Sequence, residues 1–315
     1  MHRRAFMKAS AAVLGALMLR DSNPGFGLAS AGTAHAAPAP APGGIPNITL
    51  INGLSMPQLG FGTWTLAENT TPSVREAVAC GYRLFDTAQA YDNEKAVWRG
   101  IRESGIARKE LFITTKISPS SMRTPPQKDA LDASIEALGG EYIDLFLLHW
   151  PVSPHIQETW ETLEEYVRKG LIRSIGLSNF NPHHIEDLLK YARVRPVLNQ
   201  IEIHPYHSQE SNVAATRSCG LAVEAWSPLA QGRVARDETL RTVAKKYGKS
   251  PAQVTLRWEI QRGLIVIPRS KNPAHIAENI RLFDFELSNE DMAAISALNQ
   301  HQRINPQNDP DNFPW

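Results

Sequence analysis

The sequence predicts an α/β fold, a (β/α)8 TIM barrel, for most of the 315-residue chain. From Leu59 onward, short apolar runs alternate about eight times with longer segments of helical periodicity, which is typical of parallel βα units. The runs LFLL and LIVI are continuously apolar, which indicates strands that are buried on both faces. The region 47–315 also has the usual length of one such barrel.

The eight predicted strands are each followed by a helical segment. They are Leu59–Gly62, Leu84–Asp86, Leu111–Lys116, Ile143–His149, Ile172–Leu177, Val197–Glu202, Ala222–Trp226 and Leu264–Ile267. Residues that favour helix starts stand between them, for example Thr71-Pro72-Ser73 before VREAVACG and Ser208 before QESNV.

Three further segments complete the predicted barrel domain. The stretch INGLSMPQ is typical of a hairpin that turns at Asn52-Gly53, and we expect this hairpin to plug the barrel floor. After the last strand, PAHIAENIRLF predicts the eighth helix and NEDMAAISALN predicts an extra C-terminal helix. The polar tail HQRINPQNDPDNFPW is expected to form an ordered loop near the mouth of the pocket.

The N-terminus has the layout of a twin-arginine signal peptide over residues 1–36. Arg3 and Arg4 precede an apolar stretch from Ala9 to Leu19, and Ala34-His35-Ala36 offers a small-residue cleavage site. We therefore expect the twin-arginine export machinery as a partner and a periplasmic location. If the signal is not used, the segment is a basic tail on a cytoplasmic protein. Residues 37–46 predict a proline-rich linker and residues 47–315 a single barrel domain.

Charge and cysteine content exclude several classes of partner. The full chain has 33 basic and 32 acidic residues, and the first 36 residues hold four of the basic and one of the acidic ones, so the mature chain is weakly acidic. This balance does not favour nucleic acid or an anionic membrane. The apolar stretch of the signal is too short for an ordinary membrane span, so we expect no stable membrane insertion after cleavage. Cys80 and Cys219 fall in distant repeats and are expected to be free thiols.

Four residues near strand ends suggest a site that donates a proton. Asp86, Lys116 and His149 end three consecutive predicted strands, and Tyr91 follows five residues after Asp86. The carboxyl ends of barrel strands share one rim, so these side chains should converge there. A lysine ammonium beside a phenol stabilises the phenolate, and a neutral histidine can orient a substrate oxygen. Each residue alone also has a structural interpretation, as a cap, a surface ring, a strand-end lysine or a core histidine.

The later strand ends carry groups that suit a nicotinamide nucleotide. Ser178, Asn179 and Gln200 could satisfy a carboxamide, and Trp226 offers a ring for stacking. After the last strand, Arg269, Ser270 and Lys271 precede a helix start, a combination that favours a phosphate. A solvated charge cluster is the alternative there. No GxGxxG follows a strand, which excludes dinucleotide binding in the Rossmann manner.

The segments GFGTW, FDTAQAYDNE, TTKI, LLHWP, GLSNF, NQIE, WSPLAQG and IPRS with AEN occur in order along the mature chain. In these segments the chain resembles the aldo-keto reductase superfamily, and its tail and short HWPVSPHIQETW segment resemble the bacterial 2,5-diketo-D-gluconate reductase branch. The resemblance implies a barrel that reduces aldehydes or ketones with NADPH, the hydride coming from nicotinamide C4. It implies Tyr91 as general acid, a pKa of Tyr91 lowered by Lys116 and Asp86, and His149 orienting the carbonyl.

The same resemblance implies a cofactor site and a substrate pocket. The implied cofactor residues are Gly62, Thr63, Ser178, Asn179, Gln200, Trp226, Leu229, Gln231, Gly232, Arg269, Ser270, His275, Glu278 and Asn279. The implied pocket walls are Trp64, Tyr91, His149 and Trp150, with Phe313 from the tail. Arg269 replaces the lysine that the superfamily places on the 2′-phosphate, and His275 replaces a common arginine. NADPH is still preferred, with NADH as the alternative.

Two other functions compete with the reductase. A metal-dependent hydrolase could use His183 and His184 or His204 and His207, but these pairs lack the usual ligand spacing, so we predict no metal. A barrel that binds a nucleotide without turnover, as a subunit or redox sensor in the periplasm, is the second alternative. The chain is predicted to be a monomer. Its substrate and the direction of the reaction stay open at this level.

Overall fold

The structure, a computed structural model, describes residues 44–124 and 126–314. The predicted signal peptide and residues 37–43 of the predicted linker lie outside this part. Ile45 is buried and packs in the main apolar core, so contact with the barrel begins two residues before the predicted domain start. No helix among the described residues is long and apolar enough to cross a membrane.

Eight parallel strands form the barrel in sequential order. They are β3 (Phe61–Gly62), β4 (Leu84–Asp86), β5 (Phe112–Ile117), β6 (Leu145–Leu148), β7 (Ile175–Ser178), β8 (Leu198–Glu202), β9 (Ala222–Trp226) and β10 (Ile265–Val266). The ends of the sheet meet, because the Gly60 amide donates to the Val266 carbonyl at 2.8 Å and the Val266 amide donates to Gln58 at 3.0 Å. The predicted (β/α)8 barrel is confirmed.

Helices separate the strands and surround the barrel. They are α1 (Thr70–Cys80), α2 (Glu94–Ser104), α3 (Pro119–Arg123), α4 (Gln127–Ala137), α5 (Ile156–Arg168), α6 (Pro182–Leu189), α7 (Glu210–Ser218), α8 (Glu238–Tyr247), α9 (Pro251–Gln261), α10 (Pro273–Asn279) and α11 (Asn289–Ser296). The eighth barrel helix and the extra C-terminal helix are α10 and α11, as predicted.

The predicted hairpin closes the floor of the barrel. Strand β1 (Asn47–Thr49) pairs antiparallel with β2 (Ser55–Pro57). Leu50 and Met56 are buried in one apolar cluster with residues from six of the barrel strands or their ends, among them Phe112 and Leu145. The apolar side of the hairpin therefore seals the interior opposite the rim where the strands end.

Some predicted boundaries differ by one or two residues. Strand β5 continues past Lys116 because Ile117 pairs with Leu148. His149 therefore lies one residue beyond the end of β6. Ser208 does not cap α7, which begins at Glu210 after the N-cap residue Gln209. The Ser208 amide instead donates to the side-chain oxygen of Asn299 at 3.2 Å.

Candidate active site

The four predicted catalytic residues meet at the rim of the barrel. Lys116 is fully buried, and its Nζ donates to both carboxylate oxygens of Asp86 at 2.7 and 2.8 Å and to the Thr87 carbonyl at 2.8 Å. The same Nζ lies 3.4 Å from the Tyr91 hydroxyl oxygen. The His149 ring meets the Tyr91 ring edge-on, with 5.8 Å between centroids. The convergence that strand order predicted is confirmed in the structure.

Backbone pairing and one short turn position these groups. Asp86 ends β4 and Lys116 lies in β5, where it pairs in register with Leu147 of β6. Tyr91 ends a single 3-10 turn over Gln89–Tyr91, which turns the phenol back over the strand ends. The Gln89 side chain holds this turn, because it donates to the Ala130 carbonyl at 2.9 Å and accepts from the Ser118 amide at 3.0 Å.

The electrostatics of Tyr91 correct one expectation. Burial raises the pKa of Tyr91 above its ordinary value, and the nearby Lys116 charge only partly opposes this rise. Asp86 also raises the pKa of Tyr91, because a carboxylate disfavours a second negative charge on the phenol. The expectation that Asp86 lowers this pKa is therefore wrong. Asp86 holds the ammonium of Lys116, and the phenol stays protonated at neutral pH.

Lys116 is charged at neutral pH, whereas His149 is neutral. Burial alone would lower the pKa of Lys116, but Asp86 and Tyr91 outweigh it and the pKa is raised, so the ammonium is charged. Burial, reinforced by the positive charge of Lys116, lowers the pKa of His149 well below its usual range. His149 is consequently a neutral imidazole that can hydrogen-bond an uncharged ligand oxygen.

Asn179 and Trp226 are locked to each other. The Asn179 amide nitrogen donates to the His149 carbonyl at 3.0 Å and to the Ser178 hydroxyl at 3.1 Å. Its amide oxygen accepts from the Trp226 indole at 2.8 Å. Both ends of the Asn179 side chain are thus already used within the protein, and their effect is to orient the Trp226 ring at the rim.

Gln200 contacts two acids, one of which the sequence analysis missed. Its amide nitrogen donates to Asp86 at 2.8 Å and to Glu224 at 2.8 Å. The amide oxygen is then the only polar atom that Gln200 can offer to a ligand. Glu224 lies inside β9, two residues before Trp226, and is fully buried. A glutamate within an otherwise apolar predicted strand was the signal that could have found it.

One large cavity, of about 1360 Å³, opens above these groups. Asp86, Tyr91 and His149 line it, together with every residue that was assigned to the cofactor site or the substrate pocket. Lys116 lies behind its wall. Lys271, which was predicted to favour a phosphate with Arg269 and Ser270, lines the cavity too, and so do Ser250, Asn272 and Ile304, which were not predicted.

A strained loop borders one side of this cavity. Ala230, Gln231 and Gly232 follow Leu229 with consecutive left-handed φ angles of 45°, 52° and 91°. The first two are not glycines, so this conformation costs energy and must be held by its surroundings. Such backbone is common at ligand-binding loops.

The far end of the cavity carries positive charge beside a helix start. Arg269 donates to the Thr65 hydroxyl at 2.8 Å, which holds its guanidinium at the rim. Asn272 caps α10 by accepting from the Ala274 amide at 3.0 Å. Ser270 lies between them and is nearly buried. The site suits an anion, because the bond to Thr65 uses only one of the several N–H donors of the Arg269 guanidinium.

The C-terminal tail forms an ordered loop that lines part of the cavity. Phe313 stacks on Trp150 with 3.6 Å between ring centroids and 5° between planes. The Ile304 amide donates to Glu202 at 2.6 Å and anchors the start of the tail. Trp64 stands at the mouth with 45% of its surface exposed. Its exposed ring is available to a ligand.

The histidines that were weighed as metal ligands lie outside the cavity. His183 and His184 both contact Asp311, at 3.1 and 3.3 Å. His184 Nδ1 accepts from the Asn181 amide at 3.1 Å, so its proton sits on Nε2 and can be donated to Asp311. Hydrogen bonding between α6 and the tail accounts for this cluster.

A phenol with a buried Lys–Asp pair behind it, on the rim of a (β/α)8 barrel, suits an oxidoreductase that acts on carbonyl groups. The chain belongs to this class through one family: the model of the Aldo/keto reductase family matches residues 58–300. This confirms the resemblance on which the site assignment depended.

Relatives and solved structures agree with this membership. The chain is 44% identical to the glyoxal reductase of Bacillus subtilis over 264 residues, which cover 83% of the chain and 96% of that protein. It is 42% identical to the methylglyoxal reductase DkgA of Escherichia coli over 271 residues, 84% of the chain and 97% of that protein. The solved structure of a Bombyx mori aldo-keto reductase in complex with NADP aligns with a TM-score of 0.79 at 38% identity, covering 85% of the chain and 98% of its own.

Proposed function

We propose that this protein reduces small aldehydes or ketones to alcohols with NADPH, using Tyr91 as the general acid. The observation that carries the proposal is the Tyr91 hydroxyl on the wall of the cavity, 3.4 Å from the buried Nζ of Lys116. The glyoxal and methylglyoxal reductases among the relatives support small 2-oxoaldehydes as substrates. They favour these over the keto sugars that the 2,5-diketo-D-gluconate branch would suggest.

Each of the four residues has a separate role in proton donation. The Tyr91 hydroxyl hydrogen-bonds the carbonyl oxygen and transfers its proton as negative charge grows there. The charged Lys116 stabilises the phenolate that is left behind, and Asp86 keeps that ammonium in place. Neutral His149 offers a second hydrogen bond to the same oxygen and restricts its position. Bound NADPH supplies the hydride.

The cavity fits a nicotinamide nucleotide in three places. The Gln200 amide oxygen can accept from a carboxamide, because its nitrogen is held by Asp86 and Glu224. The Trp226 ring, oriented by Asn179, presents a stacking face. Arg269 and the start of α10 form the anion site, which suits the 2′-phosphate that distinguishes NADPH from NADH.

Consumption of NADPH, followed by nicotinamide absorbance, tests the proposed function directly. Glyoxal, methylglyoxal, simple aldehydes, ketones and keto sugars are offered in turn with NADPH and with NADH. We expect turnover of at least one 2-oxoaldehyde with NADPH. If no carbonyl compound is reduced with either cofactor, the proposal is wrong and a binding subunit or redox sensor becomes the better assignment.

Replacement of Arg269 by alanine should separate the two cofactors. We expect the KM for NADPH to rise by about 10- to 100-fold, because a charge-assisted phosphate contact is lost, whereas the KM for NADH should hardly change. Steady-state kinetics with both cofactors measure this. Arg168→Ala, an exposed arginine on α5, is the matched control. Equal losses with NADPH and NADH would show that Arg269 does not read the 2′-phosphate.

The rate of reduction should depend little on pH near neutrality. The raised pKa of Tyr91 keeps the acid protonated, and the lowered pKa of His149 keeps the imidazole neutral. We therefore expect kcat for reduction at saturating NADPH to stay level from about pH 6 to about pH 9 and to fall above the ordinary range of a phenol. A fall of kcat centred near pH 7 would contradict these protonation states.

We also infer that the chain is exported by the twin-arginine route. The order of charge, apolar stretch and small-residue site in residues 1–36 supports export. Because that route carries folded proteins, the cofactor would be loaded before export. Cell fractionation with N-terminal sequencing tests it. Full-length protein found only in the cytoplasm would overturn the export proposal without affecting the reductase.

A further inference from the structure

Glu224 is a buried carboxyl group beside the catalytic residues that the proton-donating mechanism does not use. It is fully buried in β9, and its Oε2 accepts from the Gln200 amide at 2.8 Å. Its other oxygen, Oε1, has no hydrogen-bond partner among the described residues. The same Gln200 nitrogen donates to Asp86 at 2.8 Å, so one amide group joins two carboxyl groups.

The charges around Glu224 favour its neutral form. The titratable groups that interact electrostatically with Glu224 are Asp86 on β4, Lys116 on β5 and Tyr91 in the turn after β4. On the other side, its register partner on β10 is the apolar Ile265. Lys116 is the one buried cation of this group, and it already contacts both oxygens of Asp86. A second buried carboxylate would be left without a cation, which is costly.

The titration of Glu224 agrees with this arrangement. Burial, and then the negative charge of Asp86, raise the pKa of Glu224 to about 8, although Gln200 and Lys116 oppose the rise. The group is therefore protonated at neutral pH and can lose its proton in mildly alkaline solution.

We propose that Glu224 is a positioning residue with two effects on cofactor binding, an inference that rests on the proposed function. In its neutral form, Glu224 and Asp86 together hold the Gln200 amide so that its oxygen faces the nicotinamide carboxamide. When Glu224 loses its proton, the new negative charge favours the cationic oxidised nicotinamide ring over the neutral reduced ring. Glu224 thus couples the affinity difference between NADP⁺ and NADPH to pH.

The comparison of the two dinucleotides isolates this effect. NADP⁺ and NADPH carry the same phosphates and differ in the charge of the nicotinamide ring. The ratio of their dissociation constants therefore cancels every effect of pH on phosphate binding. We expect Kd(NADPH)/Kd(NADP⁺) to rise by about fivefold or more between about pH 6.5 and about pH 9 in the wild-type protein.

Two glutamine variants test the assignment. Glu224→Gln keeps an oxygen that accepts from Gln200 but cannot ionise, so the ratio should become independent of pH. Glu259→Gln is the matched control, because Glu259 is also fully buried with a raised pKa, but neither of its oxygens has a hydrogen-bond partner among the described residues and it does not contact Gln200. It should leave the pH dependence of the ratio as in wild type. Quenching of protein fluorescence on titration with each dinucleotide gives the constants.

An infrared measurement needs no cofactor and follows the proton itself. The carbonyl stretch of the protonated Glu224 carboxyl group should be present at neutral pH and should decline around pH 8. In Glu224→Gln, the band that declines around pH 8 should be absent. A ratio that is flat in wild type, or that changes equally in wild type and Glu224→Gln, overturns the role of Glu224 while binding is intact. Failure of both dinucleotides to bind overturns the proposed function itself, and this role with it.

Discussion

Replacement of Tyr91 by phenylalanine should lower kcat for carbonyl reduction by about 10²- to 10⁴-fold, the usual contribution of a positioned general acid. The substitution removes the hydroxyl oxygen that lies 3.4 Å from Lys116 and leaves the ring against His149. We therefore expect the fold and the affinity for NADPH to change little. Stopped-flow or steady-state absorbance measures kcat, and fluorescence titration measures binding.

The control for this variant is a tyrosine away from the cavity. Tyr191→Phe removes a partly buried hydroxyl just after α6 and should leave kcat unchanged. If Tyr91→Phe keeps more than about a tenth of the wild-type kcat, another group or a water molecule donates the proton. The assignment of Tyr91 as the acid would then be wrong.

Replacement of Lys116 by methionine should remove activity and also destabilise the protein. Lys116 and Asp86 form a fully buried ion pair at 2.7 Å, and loss of the cation leaves the carboxylate uncompensated. Breaking such a pair from one side costs about 3–5 kcal/mol of unfolding free energy. Urea denaturation measures the loss, provided that unfolding is two-state, and the absorbance assay measures activity.

A double variant separates the two consequences of this change. Lys116→Met with Asp86→Asn removes both charges, so most of the lost stability should return. Activity should stay low, because no ammonium remains to stabilise the Tyr91 phenolate. Recovery of both stability and activity in the double variant would show that Lys116 has only a structural role.

The raised pKa of Tyr91 changes how the site should be understood. In the structure, burial dominates over Lys116, and Asp86 acts against ionisation of the phenol. The lysine therefore matters during the reaction, when charge appears on the phenol oxygen, more than it matters for the resting acid. This explains why we expect a wide pH range for reduction.

The positions of the proposed catalytic residues could be predicted from sequence because they follow from local patterns. Asp86, Lys116 and His149 each follow or end an apolar run, and parallel strands in a barrel bring such ends to one rim. Tyr91 is close to Asp86 along the chain, so it had to fall near the same rim. Their convergence needed only the number and direction of the strands.

Other groups could not be predicted in the same way. Asn179 lines the cavity, but the bonds of its side chain to Trp226 and to the His149 carbonyl do not follow from the sequence. Glu224 lies inside β9, before the rim where the strands end, so strand-end patterns do not point to it. Both cases depend on which neighbour an amide meets across the barrel.

The amino-acid sequence by itself determined the barrel, the order of its βα units and the convergence of Asp86, Tyr91, Lys116 and His149 on one rim, because periodicity and strand ends are local properties of the chain. Only the tertiary structure decided the hydrogen bonds of Gln200, which joins Asp86, 114 residues away, to Glu224, 24 residues away. These contacts depend on strand register and side-chain rotamers across a closed interior. The charge state of Glu224 follows from them, because a buried carboxyl group ionises only as far as its neighbours compensate the charge.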